Sequence, residues 1–179
     1  MLTVATGCLP CGYNGRHEWF WEPGDDDKAV YPLENLMDMY EKSVGRNATL
    51  IVGLTPNPDG LIPEGDVKRL KEWGDEIARR FGTPLAQTSG KAKKLSLDLK
   101  GKQKANCYIL QEDITQGERI RTYRVEARTG GKWVTVDRGT SVGHKRIGKF
   151  DPVEATAFRV VVEQCTDTPQ IRSFGIYNN

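Results

Sequence analysis

Between His17 and Asp27 the chain reads His-Glu-Trp-Phe-Trp-Glu-Pro-Gly-Asp-Asp-Asp, which places three aromatic rings, five carboxylates and a histidine within eleven residues. Large rings offer flat apolar faces suited to stacking on the C–H face of a sugar. A positioned carboxyl group transfers protons or binds hydroxyls. The same residues also suit a plain loop, with Trp19, Phe20 and Trp21 plugging a core and Asp25 to Asp27 lying in water or ahead of a helix. On residue types alone both readings stand.

Cys8 and Cys11 have the C-x-x-C spacing of a redox pair or half a zinc site. A zinc site needs two further ligands, and His17, His144, Cys107 and Cys165 form no second C-x-x-C or H-x-H pair. A thioredoxin-type pair opens a helix after a strand, whereas Cys11 is followed by the loop-like Gly12-Tyr13-Asn14-Gly15. Cys8 and Cys11 are read as incidental or structural, and no metal ligand set is expected. Cys107 and Cys165 fall on separate expected strands, as buried thiols or as a disulfide.

At 179 residues, 37% apolar and 28% charged, the chain has room for one large or two small domains of ordinary globular composition. Its longest apolar runs fall short of the roughly 18 residues that a membrane-spanning helix requires. Residues 1–12 lack the basic and apolar regions of a signal peptide, so localisation is unknown from this stretch. Residues 1–90 hold 9 Lys/Arg against 14 Asp/Glu, whereas residues 91–179 hold 17 against 10. A basic module suits phosphates or anionic glycans, or simply carries solvated lysines that protect strand edges. Along Lys91–Lys104 the lysines are not interleaved with aromatic rings as nucleic-acid stacking favours. No nucleic-acid partner is expected.

Two helices are expected in the first half. One starts at Pro32, a favoured first-turn residue, with Leu33, Leu36, Met37, Tyr40 and Val44 at helical spacing and Gly45 as a left-handed-tolerant stop. The other runs from about Pro63 to Phe81, with Val67, Leu70, Trp73, Ile77 and Phe81 on one stripe. Between them, residues 48–54 (ATLIVGL) read as a parallel strand covered on both faces. No second strand is expected in the first ninety residues, so this strand implies a sheet belonging to a larger protein. Residues 83–94 read as a polar linker. Beyond it, seven short period-two segments begin near Leu95, Ala105, Ile120, Lys132, His144, Ala157 and Ile171, separated by turn signals such as Gly130-Gly131 and Asp151-Pro152. They predict an antiparallel sandwich over residues 95–179, with Trp133 in its core. The fold class is therefore α/β followed by all-β.

The stretch from Gly12 to Phe81 resembles the C-terminal end of the catalytic domain of glycoside hydrolase family 29, the α-L-fucosidases. The most specific words are Tyr40-Glu41-Lys42-Ser43-Val44-Gly45-Arg46-Asn47, against a Y-x-x-S-V-G-R-N pattern, and Asp59-Gly60-Leu61-Ile62 before the last helix. Gln111-Glu112-Asp113-Ile114 and Gly143-His144-Lys145-Arg146-Ile147 resemble that family's C-terminal galactose-binding-like domain. The resemblance implies that residues 1–82 are the terminal piece of a (β/α)8-like barrel and residues 95–179 a galactose-binding-like sandwich. The family's nucleophilic aspartate matches no residue of this chain. Val52-Gly53-Leu54-Thr55-Pro56 also departs from the Leu-Asn-Val-Pro-Pro common in related sequences.

The resemblance implies a retaining exo-α-L-fucosidase of the branch acting on α-1,3/1,4-linked fucose, with no metal or organic cofactor, and a secreted or periplasmic parent. Its partners would be a fucosylated oligosaccharide or glycoconjugate and the remainder of the barrel. No membrane partner is expected. Within this chain Glu18 is the catalytic candidate, Trp19 and Trp21 the apolar sugar contacts, His17 a further contact, and Thr55 and Asn57 the late-strand residues bordering the sugar. A non-catalytic carbohydrate-binding module is the alternative. Because residues 95–179 hold a complete alternating pattern and residues 1–82 do not, limited proteolysis should leave the sandwich as the resistant core. Survival of the N-terminal half instead would overturn the domain division.

Overall fold

The computed structural model describes residues 3–8, 20, 21 and 30–179. They divide into one unit of residues 1–44 and 48–79 and a second of residues 45–47 and 80–179.

The first unit begins with β1 (Thr3–Cys8), which pairs in parallel with β2 (Ala48–Gly53) from Thr3↔Ala48 through Cys8↔Gly53. The expectation that the first ninety residues hold no partner for β2 is therefore corrected. Thr-Val-Ala-Thr-Gly-Cys lacks the apolar density of a buried strand, and its small residues conceal it. Parallel pairing requires a crossover, and α1 (Leu33–Ser43) supplies it, packing against both strands. Leu36 and Met37 are each 1% exposed. The helix opens after Pro32 and closes with Val44 still right-handed. The left-handed residue is Asn47 (φ 66°) rather than Gly45.

Cover on both faces of β2 does not hold within this chain either, since its residues alternate half-buried and exposed and Ile51 is 53% exposed. Helix α2 (Glu64–Phe81) follows. Its stripe is realised only in part: Leu70, Trp73 and Ile77 are half-buried and Phe81 buried, while Val67 is 52% exposed and Asp66 takes the buried place beside it. Arg69 ties α2 to the segment before α1, donating through Nη1 to the Tyr31 carbonyl at 2.5 Å.

The second unit is a six-stranded antiparallel sheet in the order β3-β8-β4-β7-β5-β6, rolled into a sandwich. Its strands are β3 (Ala86–Gly90), β4 (Lys94–Glu112), β5 (Ile120–Thr129), β6 (Lys132–Thr140), β7 (Arg146–Cys165) and β8 (Ile171–Tyr177). Five residues of the expected linker thus form β3, which pairs with β8. The expected strands near 95 and 105 are one strand, as are those near 144 and 157. Gly101 (φ 83°) sits where β4 shifts register, and the chain continues through Asp151-Pro152 in β7. Residues that read as turns are bends in long strands. Early β4 pairs with late β7, whereas late β4 pairs with early β7 and β8, so these two strands serve both layers.

Between the layers lie Tyr108, Leu110, Phe174 and Ile176 with Tyr123, Val125, Phe158 and Val160, all buried. The Tyr108 ring covers Gly148, where a Cβ would come within 2.1 Å of it. Its hydroxyl donates to Asp137 Oδ2 at 2.8 Å and lies 2.9 Å from the Tyr123 hydroxyl. Burial, followed by the neighbouring Tyr123, pushes the Tyr108 hydroxyl far above the ordinary tyrosine range, so it stays a neutral donor. Cys107 and Cys165 do not form a disulfide, the first being buried and the second half-buried.

Trp133 is not part of this core. It is half-buried, with the Arg159 guanidinium 4.2 Å above its ring. Phe158→Ala should cost about 3–5 kcal/mol in urea denaturation, as for a large ring removed from a packed core. Trp133→Ala should cost only about 1 kcal/mol, the scale of a partly exposed cation–π contact. Equal losses would return Trp133 to the core.

Candidate functional site at the C-terminal ends of the parallel strands

Because β1 and β2 run in parallel and end in register at Cys8 and Gly53, the chain leaves both strands at the same edge of the pair. The segment after β1 carries the ring-and-carboxylate cluster, and the one after β2 carries Thr55 and Asn57. Loops at the C-terminal ends of parallel strands are where barrel enzymes place their chemistry, since a rigid sheet holds them while their composition stays free.

Thr55 is 8% exposed. Asn57 organises its own loop: Oδ1 accepts from the backbone N–H of Asp59 at 3.0 Å and of Leu61 at 2.9 Å, and the Asn57 N–H donates to the Leu61 carbonyl at 2.8 Å. With both Oδ1 lone pairs engaged, the amide nitrogen is the end of this side chain left for a ligand. Trp21 is half-buried. Phe20 beside it is 82% exposed and presents its ring to solvent. Phe20 therefore does not plug a core, and the reading that gave it that place is corrected. His17, Glu18, Trp19, Cys11 and Asp25–Asp27 lie outside the described residues, as does the Cys8 side chain.

The outer face of β5, β6 and β7 carries a second polar cluster, a ladder of alternating charge. Arg138 and Arg124 both donate to Glu163 Oε1, at 2.8 and 2.7 Å. Arg124 also donates to Glu126 Oε1 at 3.0 Å, and Arg159, stacked on the Trp133 ring, donates to Glu126 Oε2. Burial pulls the Glu126 carboxyl upward, but the hydrogen bonds and charges of Arg159 and Arg124 outweigh it and hold the group below the usual glutamate range. Every charge in the ladder is satisfied by another, and Trp133 shields one end.

Three known proteins illustrate what this chain is similar to. α-L-Fucosidase 1 of Arabidopsis thaliana is 30% identical over 93% of this chain and 40% of its own length. A crystal structure of a Bacteroides thetaiotaomicron protein assigned as an α-L-fucosidase superposes with a TM-score of 0.92 and 59% identity, covering 96% of this chain and 39% of that one. A glycoside hydrolase 29 family member from an unknown rumen bacterium superposes at 0.80 with 30% identity, over 96% of this chain and 32% of that one. This chain is a relative of the family 29 α-L-fucosidases. It spans about 40% of the length of the curated fucosidase it matches. No protein-family profile matches it. In this fucosidase relative the β1–β2 edge and the charge ladder fall in different units, the first in the α/β unit and the second in the sandwich.

A depressed glutamate contributes stability that is present above its ordinary pKa and lost as pH falls through the lowered folded value. The melting temperature should therefore drop as pH falls below the ordinary glutamate range, and Glu126→Gln should flatten that decline while lowering stability at neutral pH. An unchanged acid slope in Glu126→Gln would remove the carboxylate from the pH dependence.

Proposed function

We propose that this chain is the C-terminal part of a retaining exo-α-L-fucosidase that releases terminal α-linked L-fucose, of the α-1,3/1,4 kind, from glycans. The observation that carries this reading is the 59% identity, over 96% of the chain, to the Bacteroides thetaiotaomicron protein assigned as an α-L-fucosidase. The name of the Arabidopsis thaliana relative agrees with it.

In this reading β1, α1, β2 and α2 are the closing elements of a (β/α)8-like barrel, and the sandwich is a galactose-binding-like domain. Supporting it is the distribution of large exposed apolar side chains. Phe20, Ile51, Leu61, Ile62 and Val67 all fall in the first unit, against Val134 alone in the second. In this reading the rest of the catalytic domain, the chain's first partner, would cover much of that exposure.

A retaining glycosidase displaces the sugar with one carboxylate and uses a second carboxyl to protonate the leaving oxygen, then to activate water, the two standing roughly 5 Å apart. The nucleophile would come from the remainder of the barrel. Glu18 is the acid/base candidate contributed here. Trp19 and Trp21 would stack on fucose or the aglycone, His17 would add a polar contact, and Thr55 and the Asn57 amide nitrogen would border the sugar from the β2 loop. The chemistry needs no metal or organic cofactor.

The experiment is release of 4-nitrophenol from its α-L-fucoside by the 179-residue chain and by the protein extended upstream through the remaining barrel. The extended protein should turn over and the 179-residue chain should not, because one loop cannot hold two carboxyls on opposed sides of a bond. In the extended protein Glu18→Gln should lower kcat by about 10²–10⁴, the range of a lost general acid. Comparable turnover by the short chain would overturn the proposal, and full activity of Glu18→Gln would remove that residue from the mechanism.

A further inference from the structure

The Tyr40–Asn47 segment carries the most specific resemblance in the sequence, yet the catalytic reading uses none of its last three residues. Gly45–Asn47 belongs to the sandwich unit, not to the α/β unit on either side of it in the chain. Arg46 forms an antiparallel bridge with Arg146. The Asn47 N–H donates to the Lys145 carbonyl at 2.9 Å, and the Ile147 N–H donates to the Gly45 carbonyl at 2.9 Å. These three residues thus act as a short added strand on the start of β7.

The side chain of Asn47 makes the pairing selective. Its Oδ1 accepts from the His144 N–H at 2.7 Å, and its Nδ2 donates to Glu118 Oε1 at 2.9 Å. Its backbone is left-handed, a conformation asparagine tolerates far better than most residues. Opposite it, Gly143 is also left-handed, and a Cβ there would fall 2.2 Å from Asn47 Nδ2.

The walls of this notch are built by Glu112, which is 2% exposed. Its Oε1 accepts from the Arg119 and Ile120 N–H groups at 2.8 and 3.0 Å, and its Oε2 accepts from the Gly143 N–H at 3.2 Å. One buried carboxylate therefore pins both the strand start beside Glu118 and the turn before His144.

We propose that the sandwich contains a binding notch for an extended Gly-x-Asn peptide segment, that Gly45–Asn47 of the same chain occupies it, and that Asn47 is its specificity-determining residue. The notch reads a carboxamide by presenting one acceptor, Glu118, and one donor, the His144 N–H. An aspartate at position 47 keeps the acceptor end but turns a carboxylate oxygen toward Glu118. The nitrogen held by Glu118 is also the acceptor atom of the glycosylation sequon Asn47-Ala48-Thr49. The filled notch closes that site in the folded protein.

The test uses the whole chain in four forms: unchanged, Asn47→Asp, Glu118→Gln, and both together. Amide hydrogen exchange is followed at His144 and Ile147. Asn47→Asp should speed exchange at both amides by about ten-fold or more, through local opening. Glu118→Gln in the same chain should restore most of the protection, because its amide then donates to the aspartate, and this coupling is what a double-mutant cycle isolates. Exchange in Asn47→Asp equal to the unchanged chain would overturn the proposal, and so would a double variant no better protected than Asn47→Asp. Intact mass after secretion from a eukaryotic host should show Asn47 unmodified in folded protein; a glycan there on folded protein would also overturn it.

Discussion

Backbone N–H and C=O groups taken out of water must find partners, and in this protein that requirement decides which distant segments meet. A parallel strand cannot be satisfied by the residues next to it in the chain, so β2 reaches back across α1 to β1. The same need is met in the sandwich by length. β4 and β7 run for 19 and 20 residues and stay paired with each other, β4 adding β8 and β7 adding β5 along their later parts, so that the pair serves both layers. At the start of β7 the partner is Gly45–Asn47, borrowed from a segment more than ninety residues earlier in the chain.

The candidate site follows from the first of these pairings. Parallel strands in register end together, so the loop rich in rings and carboxylates and the Thr55–Asn57 loop start from one edge, whatever their sequences. Asn57 then uses one end of its carboxamide to shape its loop and leaves the other available. Asn47 engages both ends, accepting from the His144 N–H and donating to Glu118. Asn57 thus fixes its turn with the acceptor end alone, whereas Asn47, with a donor and an acceptor on one rigid plane, satisfies groups of opposite kind.

Charge is handled differently in the sandwich. Glu112 is buried and surrounded by backbone donors, whereas Glu126 and Glu163 lie in a ladder of guanidinium groups on the outer face. Backbone donors can hold a carboxylate in the interior because they are fixed by strands and need no counter-ion of their own to be desolvated. The ladder needs long arginine stems, and Trp133 covers one of them. A ring that reads as core from its strand pattern is therefore spent on shielding an ion pair.

Much was determined by the sequence alone. Helical periodicity located α1 and α2 to within a residue, and period-two alternation located most of the sandwich strands, because local burial patterns are written in consecutive residues. The words around Tyr40–Asn47 and Asp59–Ile62 carried the family resemblance. Tertiary structure decided the rest, for reasons of partnership at a distance. Thr3–Cys8 is a strand because β2 lies beside it, not because of its own apolar content. Ala86–Gly90 is one because β8 has an open edge. Asp151-Pro152 looks like a turn, yet it is a bend, since a strand that continues into a second layer keeps its hydrogen bonds on both sides of the kink. Gly45 looked like the left-handed stop of α1, but Asn47 takes that conformation because the sandwich supplies partners for both ends of its side chain. Such hydrogen bonds join residues 71 and 97 positions apart, a separation at which local pattern carries no information.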